Sequence, residues 1–234
     1  MPFFGLFDPT YIIVIPGIIL TLWAQAKVKS AFSKYSRVGA HSGVTGAEVA
    51  RQILTSSGVH NVSIEPVRGQ LTDHYDPQAG VLRLSDGVYD SRSIAALGIA
   101  AHEAGHAVQH AVNYPALALR TAIAPAAATG SQLGIWIFMI GLIAAWFANG
   151  PLWIMDAGII LFGVAVVFTL ITLPVEFNAS KRALAVLAKG GYLTSEEIPH
   201  AKAVLDAAAW TYVAAAATAV LTLLRLLILR GRRD

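Results

Sequence analysis

The sequence predicts a mainly α-helical membrane protein carrying a small α+β domain. Three observations support this. Hydrophobic residues make up 56% of the 234 and charged residues only 13%, against about 25% charged in a soluble domain, and the mean hydropathy is +0.60. About four apolar stretches come close to the roughly 20 residues a bilayer demands. Between the first and second lies a polar region, Lys27 to Asn113, whose pattern switches between helical and alternating periods. Such hydrophobicity excludes a disordered chain. The formal charge of +3 comes from short basic clusters beside apolar stretches. It is read as membrane orientation, and no nucleic-acid partner is expected. Cysteine is absent, so a metal must be held by histidine and carboxylate.

The elements follow in order. The first expected span is Tyr11 to Ala26, short and interrupted by Pro16. Ala24-Gln25-Ala26 looks like a cleavage site, but no basic residue precedes the apolar run, so a retained anchor is expected. Thr45 is placed to cap a helix over Gly46 to Leu54. Val62 to Val67 and Val81 to Ser85 alternate and read as strands, separated by a turn-rich loop with Asp76-Pro77 and Ala79-Gly80. Ser91 or Ser93 then caps a helix running to about Val112. Pro115 to Thr129, interrupted by Pro125 and Arg120, reads as a packed or interfacial helix. Spans two and three, Gln132 to Ala148 and Leu152 to Leu173, flank Asn149-Gly150-Pro151 and form a hairpin. A polar helix opening near Glu176 ends at Gly190-Gly191. The fourth span is Tyr212 to Leu229.

This gives five parts: an anchor (1–26), a part (27–130) that carries the histidine-bearing helix taken up below, the membrane hairpin (131–173), a polar helical part (174–206), and a last span with a basic tail (207–234). Lys27, Lys29, Lys34, Arg37, Lys181, Arg182 and Lys189 put both polar regions on the cytoplasmic side. Arg230, Arg232 and Arg233 pull the other way. A multi-pass protein of the plasma (inner) membrane is expected, with its active site facing the cytoplasm.

Ala101-His102-Glu103-Ala104-Gly105-His106 contains H-E-x-x-H on a predicted helix. Residues four apart lie on one helix face, so both imidazoles can bind one zinc ion while Glu103 serves as general base. The surrounding helix is apolar or small, and unpaired His and Glu side chains there would cost several kcal/mol. A catalytic zinc needs a third protein ligand and one open position. His110 is eight residues beyond His102, about 12 Å along a straight helix, too far to share the ion. Gln109 and Val112 stand where a Gly turn and a third His would complete a metzincin pattern. Glu176 is the better candidate, on a helix whose face of Ala179, Ser180 and Ala183 permits close approach. A plain acid near a helix N-terminus is its alternative.

The stretches HEAGHAVQH and EFNASKRAL, with GQLTDHYD and Leu84 to Tyr89, resemble the YugP-type neutral zinc metallopeptidases of membranes. More distantly they are similar to the HtpX and CAAX-prenyl endopeptidases, which pair H-E-x-x-H with E-x-x-A-D. The resemblance covers nearly the whole chain. It implies a zincin-like domain of gluzincin type, a short two- to three-stranded sheet beside the His helix, and one zinc ion per chain. His102, His106 and Glu176 would be the ligands and Glu103 the catalytic base. Ser180 departs from the aspartate of the distant relatives, and aspartate is also expected where Asn178 stands.

The function expected is a membrane-embedded zinc endopeptidase acting on membrane-adjacent or unfolded polypeptides. Val81 to Ser85 could take substrate as an added edge strand, or serve only as a structural partner. His74, Tyr75 and Arg182 are candidate oxyanion donors, against local loop bonding for each. His41, His60 and His200 lack any partner pattern, and Asp156 and Arg225 are expected to snorkel. No Walker A sequence is present, so unfolding by ATP is not built in. The alternative is a non-catalytic zinc-binding membrane scaffold. Structural zinc needs no neighbouring base, which makes Glu103 the discriminator.

Overall fold

The computed structural model describes residues 8–147 and 150–232; Asn149 of the expected turn and Arg233 of the tail lie outside them. A 3₁₀ helix, Pro9–Ile13, leads into α1 (Ile15–Tyr35). Next come α2 (Gly46–Ser56), β1 (Ser63–Val67), β2 (His74–Asp76), β3 (Val81–Ser85), α3 (Asp86–Tyr89) and α4 (Ile94–Ala111). The long helices α5 (Pro115–Phe147), α6 (Trp153–Lys189) and α7 (Ile198–Gly231) complete the chain. A mainly α protein with a small α+β part is what the composition predicts.

The chain divides into two compact units. One comprises residues 1–23, 119–173 and 211–234. Phe138, Leu142, Met155, Phe162, Val166, Leu226 and Leu229 pack its interior. Gly158 lets α6 approach α5, because a Cβ there would lie 2.5 Å from Phe138 N. Outward-facing residues are large and apolar: Trp136 is 68% exposed and Ile160 70%. An apolar exterior of this extent is a surface for lipid. Two ion pairs lie in this unit: Arg230 meets Asp156 at 2.8 Å, and Arg225 meets Asp8 at 3.2 Å and stacks over Tyr11. Asp156 and Arg225 are thus held by partners here, where snorkelling was expected.

Helices α5, α6 and α7 are long and apolar enough to cross a membrane. The first expected span is not among them. Its helix begins only at Ile15 and reaches Gln25, Lys27 and Lys29 after about ten residues, roughly half a bilayer thickness. The Pro115 to Thr129 segment is not separate either. It continues unbroken into the second expected span as α5, with Pro125 inside the helix. Membrane helices tolerate internal proline.

The other unit comprises residues 24–118 and 174–210. Thr45 caps α2 in a reciprocal capping box with Glu48, and Ser93 caps α4 through Ala96 N. The sheet order is β1-β3-β2, with β1 parallel and β2 antiparallel to β3. β2 falls in the segment read as a loop, where three residues are too few to show alternation. Val81 to Ser85 is the central strand, paired on both sides, so it has no free edge to offer a substrate. The core is built from Leu82, Leu84, Ile94, Leu97, Ala100 and Ala104, with Leu187 from α6.

Candidate metal centre

Two helices build the site. α4 carries His102, Glu103 and His106, and its buried face is Ala100, Ala101, Ala104 and Ala107. α6 carries Glu176, Asn178, Ser180 and Arg182. The helices come close because Gly105 faces Ala179: a Cβ on Gly105 would lie 3.1 Å from the Ala179 carbonyl oxygen. Ala179 and Ala183 are buried, as expected of a small-residue contact face. Glu176 does not open a helix, since α6 runs straight through Pro174. The helix N-terminus explanation for this carboxylate therefore fails.

His102, His106 and Glu176 converge. Glu176 Oε2 is 3.2 Å from His102 Nε2 and 3.4 Å from His106 Nε2, and the two Nε2 atoms are 3.1 Å apart. A tetrahedral zinc with ligands at 2.0–2.2 Å separates its ligand atoms by about 3.3–3.6 Å. The edges of the triangle, 3.1, 3.2 and 3.4 Å, reach or come a little short of that spacing, so the three side chains could hold a metal ion. Glu176 is only 3% exposed at its side chain and each histidine 12%.

Electrostatics point the same way. Burial alone would lower the His106 pKa. The hydrogen bond to Glu176 and the charges of Glu103 and Glu176 outweigh it and hold the pKa above the ordinary value. The cluster thus favours a positive charge at its centre. Both Nδ1 atoms are occupied: His102 Nδ1 lies 3.1 Å from Ser180 Oγ, and His106 Nδ1 lies 3.0 Å from Gln109 Oε1. Ser180 thus takes the position where the distant relatives carry aspartate.

The other candidates have hydrogen-bond partners outside the triangle. His110 Nδ1 meets the Tyr75 hydroxyl at 3.0 Å, and His74 meets the Thr72 carbonyl and Arg83. Arg182 Nε donates to Asn178 Oδ1 at 2.8 Å. The His41 amide donates to Glu197, and His200 stacks on Tyr35. The TDHYD loop is anchored by Asp73, which accepts from the Ser85 amide and hydroxyl; burial pushes its carboxyl pKa up against those bonds. Sequence reasoning missed Gln109, whose signal was a polar residue three positions after a candidate ligand on an otherwise apolar face.

Fold and site together describe a membrane-helix protein in which two histidines and a glutamate could hold a metal ion. The chain belongs to the family described as "Putative neutral zinc metallopeptidase", which matches residues 10–231. It is 49% identical over 224 residues to the "Putative membrane protease YugP" of Bacillus subtilis (strain 168), covering 95% of this chain and 97% of that protein. No solved structure matches.

Proposed function

We propose that the protein is a membrane-embedded zinc endopeptidase, with His102, His106 and Glu176 as the zinc ligands and Glu103 as general base. The observation that carries this is the closed triangle of Nε2, Nε2 and Oε2 atoms. When bound, zinc supplies Lewis acidity, which brings the pKa of water near 7 and polarises a carbonyl. Glu103 follows His102 directly, is partly exposed and acts electrostatically on His106. It takes the proton from the attacking water and hands it to the departing amine. Membrane-adjacent or unfolded polypeptides suit a ligand that follows the apolar stretch of α6 by only three residues. Of the two outer strands, β2 (His74–Asp76) packs on α4, the helix that bears the histidines, which favours its edge for substrate pairing. The basic residues of 27–37 and 181–189 support a site on the cytoplasmic side, against the opposite pull of Arg230, Arg232 and Arg233.

The test uses full-length protein purified in detergent. Wild type should hold about one zinc and cleave casein. Glu103→Gln should retain zinc and lose about 10²–10⁴-fold in cleavage rate. Cleavage that survives the substitution rejects the base. Wild type without zinc, or Glu176→Gln with unchanged zinc content, rejects the ligand set.

A further inference from the structure

Gln109 has no part in the catalytic scheme, yet it is completely buried. A buried amide is costly unless its polar atoms are paired, and the partners here leave one orientation. The Val175 carbonyl can only accept, so the Gln109 atom 2.9 Å from it is the NH2 group. The Arg182 guanidinium can only donate, so Asn178 Oδ1 is the acceptor for Arg182 Nε at 2.8 Å. The same Oδ1 accepts from Gln109 Nε2 at 2.9 Å. Two independent acceptors therefore fix the amide with Oε1 toward His106 Nδ1, 3.0 Å away. That oxygen can only accept. A neutral His106 must then carry its proton on Nδ1, which leaves the Nε2 lone pair directed into the triangle.

We propose that Gln109 is a positioning residue that fixes the tautomer of His106 for metal binding, its own orientation set by the Val175 carbonyl and the Asn178–Arg182 pair. This rests on the zinc-site reading above. Val175 immediately precedes Glu176, so the same amide ties the helix bearing the carboxylate to the ring of a ligand histidine. Arg182, a candidate oxyanion donor by sequence, acts here through Asn178. Partners of ligating histidines that set tautomer and ring orientation typically contribute about 10–100-fold in metal affinity.

The experiment measures zinc affinity by chelator competition on the full-length protein in detergent, together with thermal unfolding. Long-range ¹H–¹⁵N spectra of the zinc-free protein are recorded at alkaline pH, with His106 assigned by its loss in His106→Asn. His106 should carry its proton on Nδ1 in the wild type. Gln109→Leu should weaken zinc binding about 10–100-fold and admit the Nε2–H form. Gln109→Glu keeps an acceptor toward Nδ1 and should retain the Nδ1–H form; its other oxygen faces the Val175 carbonyl and Asn178 Oδ1 and must carry a proton to bond them, so this variant is read by its tautomer and Gln109→Leu by its affinity. A merely structural role for Gln109 would lower the unfolding temperature in both variants without moving the tautomer. Folded Gln109→Leu with wild-type affinity overturns the proposal. So does an Nε2–H ring in the wild type, a result that stands even where Gln109→Leu does not fold. Zinc absent from the wild type overturns the metal-site reading itself, whereas zinc present but indifferent to Gln109 overturns only this inference.

Discussion

In the proposed zinc site, His106 is the residue at which proton and metal would compete for one lone pair. Its pKa is raised above 6.5: burial opposes the charge, but Glu176 and Glu103 more than compensate. Zinc needs the neutral ring and displaces the proton on binding. The sign follows. The ring is neutral only above its raised pKa, so zinc affinity should increase as pH rises through that value and weaken as pH falls back toward 6.5. Zinc titrations between about pH 6 and 8.5 check this, with proton release into weak buffer as a second readout. An affinity flat across that window would contradict the coupling. His102 tests the other half of the support. Ser180→Ala removes the oxygen at its Nδ1 and should weaken zinc about tenfold, while Ser180→Asp should bind at least as tightly. That His102, His106 and Glu176 would converge was legible at this scale, because the H-E-x-x-H spacing and the shortage of other carboxylates near an apolar helix point to them. The role of Gln109 was not, because the acceptors that orient it come from another helix.

Between elements, the decisive contact is α4 against α6. Any Cβ at position 105 would meet the Ala179 carbonyl oxygen at 3.1 Å, tighter than ordinary contact, and backbone cannot swing aside as a long side chain can. Gly105→Val should part the helices. A destabilisation of about 1–3 kcal/mol is expected for such overpacking, read as a lower unfolding temperature, along with weaker zinc binding as Glu176 moves from the histidines. Gly105→Ala should show the same changes at smaller size. Wild-type stability and zinc affinity in the valine variant would show that the close approach is not required. Caps and alternation made α2, α4, β1 and β3 legible, since Thr45, Ser93 and the Val81 to Ser85 pattern are local signals. The continuity of α5 and α6 was not. Pro125 and Pro174 are breakers by water-based propensity, but membrane helices absorb them. Strand order was hidden too, because β2 is three residues long and pairing is set by tertiary contact.

At the level of the whole chain, the status of α1 does not decide whether the ligands share a side of the membrane. α5 and α6 are each long and apolar enough to cross a membrane; on the proposed reading they are successive crossings, which would return residues 174–210 to the side that holds residues 24–118 whether or not the chain crosses before them. Glu176 meets two histidines that lie 74 and 70 residues (176 − 102 and 176 − 106) earlier in sequence. The chain contains no cysteine, which permits a direct test without background labelling. Lys202→Cys reports the polar unit, and Pro151→Cys reports the hairpin end; both positions are exposed. One crossing, α6, separates them. With the basic residues of 27–37 and 181–189 held in the cytoplasm, a membrane-impermeant maleimide should label Pro151→Cys in intact cells. Lys202→Cys should be labelled only after permeabilisation. The reverse pattern would invert the orientation and place the triangle outside the cytoplasm while leaving its geometry intact. Labelling of both from the same side would remove α6 as a crossing, and with it the route by which the third ligand is returned to the first two.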